Sequence, residues 1–332
     1  MNQVLLFGPT ACHNEARLRR LLKSDWRTAA IPDESDLAQL TQALPRSEAI
    51  LSLFWNRGMA ECAEGVKLIQ ALGAGVDAYD LAAIPPDCAL CNVYEHEVPM
   101  AEYVIGAMVA MSARFIFHDR QLRQGSWDGT GRRDGAPHEE LAGKTVGLIG
   151  FGRIGHEVAK RARAFGLNIH AVRSRPDAAA NGIDVDWLGG PAQLDELMRV
   201  SDYLVVCCPL NDQTRGLLDR QMLSRMKPTA YLINVARAEV IEEQALFAAL
   251  KDQRIAGATL DVWYRYPENG DQRLLPATLP FHELDNVLMT PHLSAWTEAM
   301  IERRWTKIAA NLDALAEGRE LFNVVTKSED II

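Results

Sequence analysis

The run Thr145-Val146-Gly147-Leu148-Ile149-Gly150-Phe151-Gly152-Arg153-Ile154-Gly155 limits the folds open to this chain more than any other stretch. Thr145–Ile149 reads as a short apolar strand, and Gly150, Gly152 and Gly155 form a G-x-G-x-x-G turn. His156–Phe165 reads as a helix that stops at Gly166, and Asn168–Val172 as a second strand. Strand, glycine turn, helix and strand make a βαβ unit of the kind that binds a dinucleotide. Gly150 permits the tight turn, Gly152 lets the backbone approach a pyrophosphate, and Gly155 lets the helix pack close on the strand. The helix N-terminus, at Arg153 and Ile154, then offers free N–H groups and a partial positive charge to the phosphates. Three spaced glycines alone are a weak signal, since a purely structural turn uses them too; the two flanking strands supply the missing context.

The remainder of the chain extends this pattern. In the first hundred residues strands are expected at Val4–Phe7, Ala49–Phe54, Leu68–Leu72 and Ala89–Val93, with a helix at Asn14–Lys23. Val98–Phe117 reads as one long, mostly apolar helix with Pro99 in its first turn, suited to burial between layers. A polar, glycine-rich loop, Gly125–Gly135, leads into the glycine-turn unit. Beyond it, strands are expected at Tyr203–Cys208, Ala230–Val235, Ile255–Leu260 and Asn286–Thr290, separated by helices near Leu194–Arg199, Asp219–Met226 and Glu243–Lys251. A long amphipathic helix, Ser294–Glu317, closes the pattern. Strands alternating with helices argue an α/β fold with parallel, doubly wound sheets, and 332 residues suffice for two domains.

Bulk properties exclude some partners. A net charge of −9 gives no basic character for binding nucleic acid. No apolar run approaches the ~18 residues of a membrane span, and Met1–Pro9 has no basic leader and reads as a strand, so a cytoplasmic protein is expected. The six cysteines are scattered; Cys88-x-x-Cys91 has no second pair or histidine to complete a metal site, so no metal is expected.

Two further stretches carry chemistry. Ile233-Asn234-Val235-Ala236-Arg237-Ala238 puts an arginine just past a buried strand, and Leu288-Met289-Thr290-Pro291-His292 puts a histidine just past another. The carboxyl ends of such strands are the ligand edge of an open α/β sheet. There a guanidinium grips carboxylate and carbonyl oxygens in two-pronged fashion, and an imidazolium passes a proton to a carbonyl oxygen as hydride arrives from a nicotinamide. Either residue alone is as compatible with a capping arginine or a structural histidine; the pair after a dinucleotide unit points to work on a 2-oxo acid.

With these motifs the chain resembles the D-isomer-specific 2-hydroxyacid dehydrogenases. The resemblance spans nearly its whole length and rests on Leu141–Gly155, Pro209–Thr214, Met226–Pro228, Ile233–Arg237, Gly257–Val262 and Thr290–His292. It implies two Rossmann-like domains: a discontinuous substrate domain of residues 1–98 and 294–332, and a cofactor domain of residues 99–293 inserted into it, with the active site in the cleft. It implies that Arg237 binds substrate, that His292 is the acid/base, and that the backbone amides at Ala74 and Gly75 hold the substrate carboxylate. It further implies that Asp261 contacts the cofactor near its nicotinamide, that Pro209, Thr214, Val235 and Ala236 line the cofactor site, and that the chain forms a homodimer with the 119–140 segment near the contact.

The sequence departs from that family in three places. The family's glutamate partner of the histidine is replaced by Tyr266, in Asp261-Val262-Trp263-Tyr264-Arg265-Tyr266-Pro267. A phenol raises a histidine's pKa far less than a carboxylate, so His292 is expected to titrate near its ordinary value of about 6.5. At the end of the second strand, where an NAD-binding member carries an aspartate, stand Arg173, Ser174 and Arg175. Two guanidiniums and a hydroxyl cradle a 2′-phosphate, so NADP(H) is expected in preference to NAD(H). Ala238 stands where glycine is common. Trp55, beside Leu53 and Phe54, is expected to line the substrate side, and Trp263, Tyr264, Tyr266 and Trp296 are expected either to add aromatic surface that favours an apolar substrate group or to belong to the core. The expected activity is hydride transfer between NADP(H) and a small 2-oxo or 2-hydroxy acid. The alternatives are a dinucleotide-sensing regulator on the same fold and a formate-dehydrogenase-like activity.

Overall fold

The protein is described by a computed structural model over residues 2–127, 135, 137–176, 185–267 and 273–325. The chain forms two compact units, one of residues 1–95 with 297–331 and one of residues 96–296. The expected junctions at 98/99 and 293/294 move outward for local reasons. Val98 lies inside the helix Glu97–Ser112, and the backbone N–H groups of Leu293 and Ser294 are tied to Asp261 of the second unit.

In the first unit, β1 (Asn2–Phe7), β2 (Trp26–Ile31), β3 (Ala49–Ser52), β4 (Leu68–Ala71) and β5 (Ala89–Cys91) form a parallel sheet in the order β2-β1-β3-β4-β5. Alternating residues of each strand face opposite sides. Leu5, Phe7, Ile50, Ile69 and Leu90 join one apolar cluster, whereas Val4, Leu6, Leu51 and Leu68 join another with Trp305, Ile308 and Leu312 of the C-terminal helix Glu298–Ala316. That helix starts at Thr297, whose side chain accepts from the Met300 N–H, rather than at Ser294. β2 went unread because its sequence, WRTAAI, mixes charged and small residues on a half-exposed edge. The expected helix Asn14–Lys23 is two short ones, Pro9–His13 and Glu15–Leu21, with Asn14 ending one and opening the other.

In the second unit, β6 (Thr145–Ile149), β7 (Asn168–Val172), β8 (Trp187–Gly189), β9 (Tyr203–Val206), β10 (Tyr231–Asn234), β11 (Gly257–Leu260) and β12 (Val287–Met289) run parallel in the order β12-β11-β10-β9-β6-β7-β8 among the described residues. The chain reverses its direction of winding between β6 and β9, and ligands bind open α/β sheets at such a point. β8 was not anticipated. The long helix expected at Val98–Phe117 breaks at Arg114, which takes φ 50, into Glu97–Ser112 and Phe115–Arg123, bent by 56°. The first buries one face, with Met100, Val104, Ile105 and Met108; the second exposes Phe115, Ile116, Phe117 and Leu122. Residues 128–134 of the glycine-rich loop lie outside the described residues. No single helix among those described is long and apolar enough to cross a membrane.

Candidate active site

Every motif residue of the second unit lies at the carboxyl edge of its parallel sheet, because each follows directly on a strand. The glycine turn leaves β6 against the end of β9. Gly150 has φ +97, and a Cβ there would lie 2.7 Å from the Cys208 nitrogen. A Cβ at Gly155 would meet the Gly150 carbonyl oxygen at 2.7 Å. These two glycines serve the chain's own packing. Gly152 is different: it caps the helix Arg153–Ala164, is exposed, and a Cβ there would meet nothing within 4 Å. Open space above a helix N-terminus is what a pyrophosphate needs, so the residues fit a dinucleotide. Arg153 is exposed at the first helical turn and Ile154 packs on the core behind it. The neighbouring thiols are inert: burial pushes Cys207 far up and Cys208 to about 12, and the Cys207 thiol donates to the Gly150 carbonyl at 3.0 Å.

Beyond β7, Arg173 is half-buried, with its backbone N–H bonded to Gly189 O at 3.1 Å and its Nη2 3.4 Å from Pro176 O. Ser174 and Arg175 are exposed. Beyond β9, Pro209 is exposed, and the Thr214 hydroxyl donates to its carbonyl at 2.7 Å and accepts from the Asn211 N–H at 2.9 Å. Thr214 therefore shapes the loop that presents Pro209.

Beyond β10, Val235 and Ala236 are buried, and the Asn234 side chain bends the backbone back on itself. Its Oδ1 accepts from the Ala236 N–H and its Nδ2 donates to the Arg237 carbonyl, both at 3.0 Å. The turn leaves Arg237 half-exposed with Nη1 2.9 Å from Ala236 O.

Beyond β11 and β12 the chain builds a hydrogen-bonded group around His292. The Tyr266 hydroxyl lies 3.1 Å from His292 Nδ1 and also accepts from the Trp263 N–H at 3.1 Å. Asp261 is fully buried and accepts from the Thr290 hydroxyl at 2.6 Å, the Leu293 N–H at 2.8 Å and the Ser294 N–H at 2.9 Å. Both its oxygens accept from its own chain, two donors on Oδ1 and one on Oδ2. His292 keeps a solvent-facing side, yet burial of the rest holds its imidazole below the ordinary 6.5; the Asp261 charge pulls it up and the Arg237 charge pushes it down. The expectation of an unshifted histidine is corrected in that direction. Burial likewise raises Tyr266, which stays a neutral phenol at pH 7.

Other aromatic expectations change. Trp55 is 1% exposed, packed in the first unit's own core with its indole N–H on Ala83 O at 3.3 Å, and lines no open surface. Trp263 and the half-buried Tyr264 stack around Phe281 in the second unit's core, the Tyr264 hydroxyl donating to Ile241 O. Tyr266 and Trp296 stay exposed. In the first unit, Ala74 and Gly75 follow β4 in a turn held by Asn92 Nδ2 on Ala74 O at 3.0 Å, with Gly75 exposed. Sequence reading missed Tyr103, whose hydroxyl is 2.6 Å from Thr290 Oγ1; a lone tyrosine on an apolar helix gives no signal. Among the described residues no cluster of three or more His, Cys, Asp or Glu is arranged to hold a metal.

Comparison with known proteins agrees with this geometry. Residues 105–294 match the family model described as "D-isomer specific 2-hydroxyacid dehydrogenase, NAD binding domain". A glyoxylate reductase of Thermococcus gammatolerans is 34% identical, covering 92% of each chain. A D-3-phosphoglycerate dehydrogenase of Methanocaldococcus jannaschii is 34% identical over 81% of this chain, which spans only 49% of that relative's length. The solved structure of a 2-hydroxyacid dehydrogenase from Ketogulonicigenium vulgare is similar at a TM-score of 0.80, with 28% identity, covering 98% of this chain and 99% of that one.

Proposed function

This chain belongs to the D-isomer-specific 2-hydroxyacid dehydrogenase family, whose enzymes move a hydride between a nicotinamide cofactor and a 2-hydroxy acid, and from that premise we propose that it is an NADP(H)-preferring reductase of small 2-oxo acids. The observation that carries this reading is the pairing of His292 with Tyr266 at 3.1 Å, within reach of the Arg237 charge. The bound dinucleotide supplies the hydride. Gly150, Gly152, Arg153, Ile154 and Gly155 receive its pyrophosphate, and Pro209, Thr214, Val235 and Ala236 border it. Arg173, Ser174 and Arg175 take the 2′-phosphate, an assignment supported by two exposed side chains and by a guanidinium at position 173 where an NAD-binding member carries an aspartate.

Arg237 orients the substrate through its carboxylate and carbonyl oxygen. His292 delivers a proton from Nε2 to the carbonyl oxygen, and Tyr266 holds Nδ1 so that the ring faces one way. The Trp263 N–H takes one lone pair of the Tyr266 oxygen, which leaves the other to accept Nδ1–H, both in the imidazolium and in the neutral ring left after Nε2 has given up its proton. In the family the partner is a carboxylate that favours imidazolium; here it is neutral. A homodimer is supported by the exposed Phe115, Ile116, Phe117, Leu122 and Trp127 on and beyond the second bent helix, more apolar surface than one helix of a monomer normally shows.

The deciding experiment follows NADPH oxidation with a panel of small 2-oxo acids beginning with glyoxylate, with His292→Ala as control. Turnover that the control abolishes supports the reading. No turnover with any member refutes it and favours the regulator, whose sign is dinucleotide-dependent partner binding.

A further inference from the structure

The helix that follows the glycine turn carries a histidine at the end of its first turn, His156, directly after Gly155. Its Nδ1 lies 2.6 Å from the Gly152 carbonyl oxygen. A carbonyl has no proton to give, so Nδ1 is the donor. The same oxygen accepts the His156 backbone N–H at 3.0 Å. One residue thus fills both lone pairs of one carbonyl. The ring turns to no other polar group: Nε2 is buried and meets no hydrogen-bond partner among the described residues. The plane of the ring is set by Phe151, with centroids 4.2 Å apart and planes 26° apart. Phe151 is itself 3% exposed and packed in the second unit's core, so the histidine leans on a fixed wall.

We infer that His156 is a positioning residue for the dinucleotide's pyrophosphate: it holds the Gly152 carbonyl along the helix axis and so aims the Arg153 N–H out of the helix end. This rests on the reading of the glycine turn as the pyrophosphate site. A peptide unit is planar and trans, so the carbonyl of Gly152 and the N–H of Arg153 point in opposite directions, and fixing one fixes the other. The N–H groups of a first helical turn point toward the N-terminus, where an anion binds.

Glycine at 152 makes this hold necessary. A Cβ there would meet nothing within 4 Å, and that open space admits the phosphates. The residue that leaves the space is also the one whose backbone is least restrained, and it is exposed. A solvent-side carbonyl with a single helical bond tilts out toward water and takes its peptide plane with it. The second bond from His156 removes that freedom without adding a side chain to the space above Gly152.

Two variants separate the donor from the ring. His156→Phe keeps a ring against Phe151 and loses the donor. His156→Asn loses the ring and places an amide N–H₂ about where Nδ1 stands. Each is read by fluorescence titration with NADPH and with NADH, and by Tm without cofactor. In His156→Phe, both dissociation constants are expected to rise roughly 3- to 10-fold, the worth of one neutral hydrogen bond, while Tm holds. In His156→Asn, both are expected to stay near wild type while Tm falls. A histidine that served packing alone would give the reverse order, with binding following Tm. Equal binding in the two variants, or tighter binding in His156→Phe than in His156→Asn, overturns the inference. Should His156→Asn fail to fold, ¹⁵N-resolved imidazole spectra of the wild-type chain decide it: a proton on Nδ1 of His156 is expected, and a bare Nδ1 overturns the inference. The pyrophosphate is common to both dinucleotides, so tighter binding of NADH defeats the assignment at Arg173 while the contrast between the variants still decides the role of His156. A chain that reduces no 2-oxo acid defeats the proposed reaction, and the titrations, which need no turnover, decide this role all the same.

Discussion

The hydroxyl of Tyr266 stands 3.1 Å from Nδ1 of His292, where the family places a carboxylate. The two arrangements differ in charge more than in geometry. A glutamate would hold the imidazolium against the desolvation of its site; the phenol leaves desolvation and Arg237 to outweigh Asp261.

The pH dependence of reduction follows. In the proposed reaction the proton donor is imidazolium, present below the histidine's pKa and lost above it. Because that pKa is depressed from 6.5, kcat/KM for glyoxylate is expected to fall as pH rises through a value below 6.5. Tyr266→Glu restores a carboxylate and should move the fall upward by about 1 unit or more. Profiles from pH 5 to 8.5 check both, and a wild-type rate flat across that range would sink the argument.

Arg237 is held at the strand end by the Asn234-shaped turn, with its charge felt at His292. Arg237→Lys keeps the charge but loses the two-pronged grip, so kcat/KM is expected to drop on the order of 100-fold with NADPH affinity retained. Steady-state kinetics beside a dinucleotide titration separate the two effects.

Gly150 and Gly152 should respond differently to the same added methyl. Gly150→Ala forces a Cβ to 2.7 Å from backbone at φ +97 and is expected to cost roughly 1–3 kcal/mol of stability. Gly152→Ala meets no atom of the chain, so its Tm should hold while dinucleotide binding is lost to a methyl in the pyrophosphate's place. Thermal melts with and without NADPH distinguish the pair; equal behaviour of the two variants would count against the cradle.

Cofactor choice is assigned to Arg173, Ser174 and Arg175. Replacing Arg173 by Asp puts a carboxylate where a ribose 2′-hydroxyl would be accepted and a phosphate repelled. KM for NADPH should rise roughly tenfold or more, and that for NADH should fall. A wild-type KM lower for NADH than for NADPH defeats the assignment.

The proposed homodimer is placed on the helix Phe115–Arg123. Phe115→Asp with Phe117→Asp is expected to convert a dimer to a monomer on sedimentation without altering the fold, since both side chains are already exposed. A wild-type monomer at micromolar concentration removes the proposal.

How much of this was legible beforehand depended on how local the signal was. The glycine turn, its flanking strands, and the arginine and histidine past β10 and β12 are written in runs of about ten residues, and the parallel sheets follow from strand and helix alternation. The absence of an acid at Arg173 and of a glutamate at Tyr266 is also a property of single positions. The strand β2 escaped because its edge position needs few apolar residues, β8 because it is only three residues long, and the break at Arg114 because the apolar pattern runs through it. Burial and partner choice are not local. Trp55 looks like a ligand residue in the chain and is packed into its unit's core instead, and Asp261 is held by three donors that arrive from about thirty residues away. The sequence by itself determined which chemical groups stand at the ends of which strands. Only the tertiary structure decided that Asp261 serves the turn of His292, because a hydrogen bond is settled by which groups folding leaves facing one another away from water.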